Sequence, residues 1–201
     1  MKLILLSAES QETNEILRLE QMFQAGLEIF HLRKPEWDVE RTAFFLDQMQ
    51  EKFHDRVVLH DHYELIHRYK VRGIHLNARN REKWEQEKKY AQHRSLSCHR
   101  LEELATLEQE DFDYAFLSPI FPSISKEGYV PGYTLEEIQA AVQSCAVPVI
   151  ALGGMCAERM EQCEAMGFSG AAVLGNIWIA IDPLEQFQSL LKICQKSAAT
   201  Y

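Results

Sequence analysis

The residues of this chain that could do chemistry stand in short clusters, each closing an apolar run of four to six residues. The clusters are His31-Leu32-Arg33-Lys34-Pro35, His60-Asp61-His62, His75-Leu76-Asn77 with Asn80 shortly after, Ser97-Cys98-His99-Arg100, Gly153-Gly154 and Gly175-Asn176. A long loop after Tyr114–Leu117 adds two hydroxyls, Ser123 and Ser125, beside Lys126. A cation among hydroxyls suits a phosphate or a carboxylate ligand. Glycines let backbone N–H groups approach anionic oxygens with no Cβ in the way, and a helix N-terminus adds favourable polarity. Gly153, Gly154, Gly175 and Asn176 together read as a cradle for one phosphate. Arg33 needs an anionic partner wherever it faces inward. Asp61 is a single carboxylate of the kind that holds Mg²⁺ together with phosphate oxygens and water. His60 and His62 could instead offer imidazoles to a hydrolytic zinc, joined by His31 and His75, but the later clusters supply no acid to complete such a site.

Clusters spaced in this way need a scaffold that gathers the ends of many strands. The pattern predicts strands over Leu3–Leu6, Leu27–Leu32, Arg56–His60, Gly73–Leu76, Arg94–Ser97, Tyr114–Leu117, Val147–Leu152 and Ala171–Leu174. Between them it predicts helices over Glu15–Ala25, Asp38–Lys52, Tyr63–Tyr69, Lys83–Ala91, Leu101–Glu108, Leu135–Ser144 and Ala157–Met166, with Pro183–Gln195 closing the chain. Gly26 reads as a helix stop and Asp38 as an N-cap. Eight uninterrupted β/α units point to one α/β domain over residues 1–201, a closed (β/α)₈ TIM barrel. A doubly wound open sheet would usually carry a glycine-rich turn after the first strand, and Ser7-Ala8-Glu9-Ser10 has none. In the barrel, ligands sit at the C-terminal strand ends, and phosphate is often bound after strands seven and eight. Every cluster falls at such an end. Residues two apart in a strand share a face, so His31 and Arg33 are both expected at the barrel mouth.

Composition narrows the function classes. The 201 residues, 46% hydrophobic and 25% charged, are those of an ordinary globular domain. A net charge of −9 argues against a general nucleic-acid binder. The short N-terminal apolar run lacks the length of a signal peptide, and no stretch approaches the ~20 apolar residues of a membrane span. A cytoplasmic protein without membrane partners is expected, and a homodimer is left open. Five cysteines, with no C-x-x-C pair, suggest neither a disulfide framework nor a zinc knuckle. Cys98, near a strand end, is a candidate thiol.

In their order and spacing the motifs resemble the thiamine phosphate synthase and thiazole tautomerase family over nearly the whole chain. The resemblance rests on His31-Leu32-Arg33, on His60-Asp61 followed by Gly73-Ile74-His75-Leu76, and on Ser97-Cys98-His99. It continues through Asp113-Tyr114, Ser118-Pro119-Ile120-Phe121-Pro122-Ser123-Ile124-Ser125-Lys126 and Val147-Pro148-Val149-Ile150-Ala151-Leu152-Gly153-Gly154. The synthase joins a hydroxymethylpyrimidine diphosphate to a thiazole phosphate, with Mg²⁺ and release of pyrophosphate. The resemblance implies that Arg33 and Lys126 hold the pyrophosphate, Asp61 its Mg²⁺, and Ser97 the transferring centre. Ser123 and Ser125 replace threonines near the thiazole phosphate, which Gly154 and the Gly175 turn would bind by backbone. The chain departs from the family at His31, where glutamine is usual, at Pro35, where lysine is usual, and at His60, where asparagine is usual. The second metal carboxylate is missing, with Asn80 as a weak substitute. These losses fall on the pyrophosphate half. They leave isomerisation of a thiazole carboxylate phosphate, or binding without turnover, as alternatives. The tautomerase's proton-transfer histidine aligns with Pro119, so a relay through His31, His60 or Cys98 would have to replace it.

Overall fold

The structure is a computed structural model that describes residues 1–8, 13–77, 80–122 and 132–198. Ser123, Ser125 and Lys126 lie outside the described residues. Eight short runs, most of them rich in β-branched and large apolar residues, form parallel strands: β1 Lys2–Leu6, β2 Ile29–Leu32, β3 Val57–Leu59, β4 Gly73–Leu76, β5 His93–Cys98, β6 Tyr114–Leu117, β7 Val149–Leu152 and β8 Gly170–Val173. Each pairs with the next in order, and β8 pairs with β1, so the barrel closes. Between the strands run α1 Glu15–Gln24, α2 Val39–Gln48, α3 Arg81–Glu87, α4 Leu101–Leu104, α5 Leu135–Ser144, α6 Ala157–Ala165, α7 Gly175–Trp178 and α8 Pro183–Ala198. Among the described residues no helix is long and apolar enough to cross a membrane. All five cysteines are unpaired.

Strand alternation divides the core in two. On β1, Leu3 and Leu5 pack outward under the helices, while Ile4 and Leu6 fill the barrel. On β6, Ala115 and Leu117 go outward, and Tyr114 and Phe116 go in. The interior is lopsided. Its β7–β8–β1 side is apolar, with Ile150, Ala172, Ile4 and Leu6. Its β2–β6 side buries His31, His60, His75, Ser95 and Tyr114.

Several expected helices are shorter than the pattern suggested. The segment expected as one helix to Lys52 breaks after Gln48, and a 3₁₀ turn, Glu51–Arg56, follows. The break lets Phe53 stack on Phe23 with ring centroids 5.0 Å apart, and Arg56 then donates to the carbonyls of Phe23 and Leu27. Tyr63–His67 is also 3₁₀, α3 ends in a 3₁₀ turn over Lys88–Tyr90, and α4 is a single turn. The unexpected element is α7. It forms where Trp178 folds back to donate its indole N–H to the carbonyl of Leu6 at 2.7 Å.

Candidate active site

At the mouth, the rim formed by the C-terminal strand ends, the backbone of Arg33 is clamped to β1. Ser7 Oγ accepts from the Arg33 N–H at 2.9 Å and donates to the Arg33 carbonyl at 2.8 Å. The half-buried guanidinium lies close enough for its charge to act on His75. Lys34, one residue on, points the other way. Its Nζ donates to Glu15 Oε2 and to the carbonyl of Ala8, both at 2.7 Å, with 2% of the side chain exposed. Lys34 therefore ties β2 to α1 and does not replace the lysine missing at Pro35.

Asp61 follows β3 at the same rim. Its Oδ1 accepts from Asn80 Nδ2 at 2.7 Å, and that amide nitrogen also donates to the carbonyl of His60 at 2.7 Å. Asn77 Nδ2 adds a second donor to the same carbonyl at 2.8 Å. Asn80 thus turns its nitrogen, not its oxygen, towards Asp61. It orients the carboxylate, which corrects its expected place as a metal ligand.

The glycine turn after β7 is shaped by its backbone. Gly153 and Gly154 have φ of 99° and 63°. A Cβ on Gly154 would stand 2.4 Å from the carbonyl oxygen of Pro122 and 2.7 Å from Arg159 Nη1. The turn is closed against the start of the long loop, where Ile120 and Phe121 donate to the carbonyls of Leu152 and Gly153. Arg159, from the first turn of α6, donates to the Gly154 carbonyl and lies 4.8 Å over the Phe121 ring. Sequence reading passed over this cation beside the Gly153-Gly154 turn. Gly175 and Asn176 open α7, whose Ile177 and Trp178 N–H groups both donate to the Leu174 carbonyl at 3.1 Å. Asn176 Oδ1 accepts from Gln186 Nε2 at 2.7 Å.

Below the rim lies what the sequence placed at the mouth. His31 is fully buried, with Nδ1 2.7 Å from His60 Nε2 and Nε2 2.5 Å from the Tyr114 hydroxyl. Both ring nitrogens are committed inside the protein, so His31 does not line the mouth as expected. His60 is 3% exposed. His75 bridges two hydroxyls, with Nδ1 2.8 Å from Ser95 Oγ and Nε2 2.8 Å from Ser97 Oγ. Of these groups only Ser97 is half-exposed and able to meet a ligand. Alternating His93, Ser95 and Ser97 along an otherwise ordinary strand was the available signal for this polar interior.

Burial keeps His31 and His75 neutral. Desolvation, helped by the charge of neighbouring histidines, holds His31 well below its usual 6.5, and desolvation first, then His93 and Arg33, lowers His75 to about 3. One potential ligand atom from each of His31, His60 and His75 lies within 4.8 Å of the others. The rings nevertheless do not converge on a common ion. His60 and His75 stack with centroids 4.1 Å apart and 17° between planes, and an imidazole donates its lone pair within its own plane. At 2.7 Å the His31–His60 contact is a hydrogen bond with a proton between the nitrogens. His62 sits apart, with φ of 54° and Nε2 2.8 Å from the Trp37 carbonyl. The alternative zinc site, for which the sequence supplied no acid, is thus not assembled by these rings among the described residues. Cys98 is buried, and desolvation pushes its thiol up to about 12, which leaves no thiolate for catalysis at neutral pH.

Comparison with known proteins agrees with this geometry. Residues 3–177 match the family described as thiamine monophosphate synthase. The thiamine-phosphate synthase of Latilactobacillus sakei is 29% identical, over 96% of this chain and 92% of the relative. The crystal structure of a thiamine phosphate pyrophosphorylase from Bacteroides thetaiotaomicron superposes with a TM-score of 0.83 at 34% identity, covering 97% of this chain and 98% of that one. A thiamine phosphate pyrophosphorylase from Pyrococcus furiosus shares the fold, with a TM-score of 0.80 at 19% identity over 97% and 96% of the two chains.

Proposed function

The chain belongs to the thiamine monophosphate synthase family, and from that premise we propose that it makes thiamine phosphate. It couples a hydroxymethylpyrimidine diphosphate to a thiazole phosphate and releases pyrophosphate. The relatives named above are synthases or pyrophosphorylases, which puts this reaction ahead of thiazole isomerisation. The observation that carries the reading is one of placement. Arg33 and Asp61 stand at the ends of neighbouring strands, and glycine turns suited to a phosphate follow β7 and β8.

In this reaction the diphosphate leaves and the thiazole nitrogen captures the pyrimidine cation. The protein's task is to hold two anionic ligands in line and neutralise the leaving group. We assign Arg33 and Lys126 to the pyrophosphate and Ser97 to the transferring centre. Ser123 and Ser125, with the backbone of Gly153, Gly154, Gly175 and Asn176, are assigned to the thiazole phosphate, and Arg159 adds positive charge there. His31 and His60 support the site from below. A single oriented carboxylate, with substrate phosphates and water, fits the way Mg²⁺ is held, so we place the ion on Asp61. Bound there, it would offset charge developing on the leaving pyrophosphate. Unpaired cysteines suit a reducing, cytoplasmic setting.

Ligand titration tests the assignment. Pyrophosphate with Mg²⁺ and thiazole phosphate should bind together, and Lys126→Ala should weaken pyrophosphate while leaving thiazole phosphate unchanged. Mutually exclusive binding would show that the two halves do not form one site.

A further inference from the structure

Backbone pairing between β2 and β3 runs up to the His60 N–H, which donates to the Leu32 carbonyl at 3.1 Å. Arg33 and Asp61 are the next residues on the two chains, just past the ladder. Each has its own support, Arg33 from Ser7 and Asp61 from Asn80. Beyond them a side chain joins the two segments. His62 Nε2 lies 2.8 Å from the Trp37 carbonyl. A carbonyl only accepts, so the ring donates from Nε2. The other nitrogen, Nδ1, is 3.8 Å from Glu64 Oε1, beyond hydrogen-bond reach of it. Trp37 is a firm anchor. Its N–H donates to the Lys34 carbonyl at 3.0 Å, and its ring centroid lies 5.0 Å from Lys34 Nζ and 4.8 Å from Arg41 Cζ. The turn that receives His62 thus begins one residue after Arg33, and the donor follows directly on Asp61.

While making this contact His62 holds φ of 54° and ψ of 49°, a left-handed conformation that a residue with a Cβ disfavours. The turn has a use in folding, because it sends Tyr63 into the core, where its hydroxyl donates to the His75 carbonyl. Glycine or asparagine would serve that use with less strain. What the imidazole adds is the tether, and strain held at a site rim points from conformation to function. We propose that His62 is a positioning residue: its tether to Trp37 sets the separation of Arg33 and Asp61, and so fits the rim to a ligand that spans a guanidinium and a carboxylate-held cation, a magnesium diphosphate. That such a ligand binds rests on the function proposed above; the tether itself does not.

Two substitutions test this. His62→Asn keeps the left-handed turn but is too short to reach Trp37, whereas His62→Gln carries an amide N–H about as far out as the imidazole Nε2. In NMR of the free protein, His62→Asn should speed exchange of the Trp37 N–H and shift the Asn80 side-chain amide that holds Asp61. His62→Gln should stay close to wild type in both. Either signal unmoved in His62→Asn would overturn the proposal, whatever the protein binds. In calorimetric titration, His62→Asn should weaken pyrophosphate with Mg²⁺ about tenfold, the loss of roughly one hydrogen bond. Pyrophosphate without Mg²⁺ and thiazole phosphate should bind unchanged, and His62→Gln should recover most of the loss. Equal weakening of all three, or no recovery in His62→Gln, would mark a purely structural role and overturn the proposal. A wild type that binds no pyrophosphate would sink the synthase reading, and the NMR comparison would still decide the tether, so the two claims fail separately.

Discussion

At the scale of single residues, the site is built from positions where one atom decides the outcome. Gly154 holds φ of 63° with no room for a Cβ. Gly154→Ala should cost about 1–2 kcal/mol from backbone conformation alone. It should also reduce thiazole phosphate affinity by more than roughly tenfold, an added ~1.4 kcal/mol; calorimetric titration beside a thermal melt separates the two. Unchanged affinity would mean that the turn after β7 does not touch the phosphate. Arg33, Asp61 and the glycine turns could be placed from the sequence because charge and glycine at strand ends have few other uses in this fold. His31 could not. Alternation correctly put it on the inward face with Arg33, but it sits one layer deeper, where inward means buried. Arg159 was missed because a basic residue in the first turn of a helix usually reads as solvated surface.

At the scale of elements, one contact fixes where a helix meets the barrel and another fixes where a helix begins. The buried Lys34–Glu15 pair joins β2 to α1, with 2% and 5% of the two side chains exposed. Glu15→Ala leaves a buried ammonium without this carboxylate and should destabilise the protein by about 3–5 kcal/mol, visible as a lower urea midpoint with unchanged slope. A change below about 1 kcal/mol would show that water reaches the lysine. Thr134 caps α5, accepting from the Glu137 N–H at 3.2 Å while Glu137 accepts from the Thr134 N–H at 2.8 Å. Strand order and strand ends were legible because a parallel barrel buries both faces of each strand and so writes continuous apolar runs. Helix ends were less so. The breaks after Gln48 and Leu104 answer to tertiary packing, such as Phe53 on Phe23, which no local period encodes.

At the scale of the whole molecule, the lopsided interior makes stability depend on pH. His31, His75 and His93 all have folded values below their usual 6.5, chiefly through burial, to about 3 for His75 and about 4 for His93. In the unfolded chain they gain protons near 6.5, while the folded barrel resists protonation. The unfolded state therefore binds more protons across this window, and stability falls as pH drops from about 6.5 towards 3. Urea midpoints measured between pH 7.5 and 4 should decline below 6.5 and level off above it. His75→Asn should flatten part of that decline, and an unaltered slope would count against its burial as a neutral ring. The polar interior, the clamped Arg33, the oriented Asp61 and the glycine turns are the parts on which the synthase reading proposed above rests. The decisive measurement is pyrophosphate release by purified protein given hydroxymethylpyrimidine diphosphate, thiazole phosphate and Mg²⁺. Release should require both substrates, match thiamine phosphate one to one, and disappear in Asp61→Asn; no release by a protein that still binds thiazole phosphate would contradict the synthase assignment.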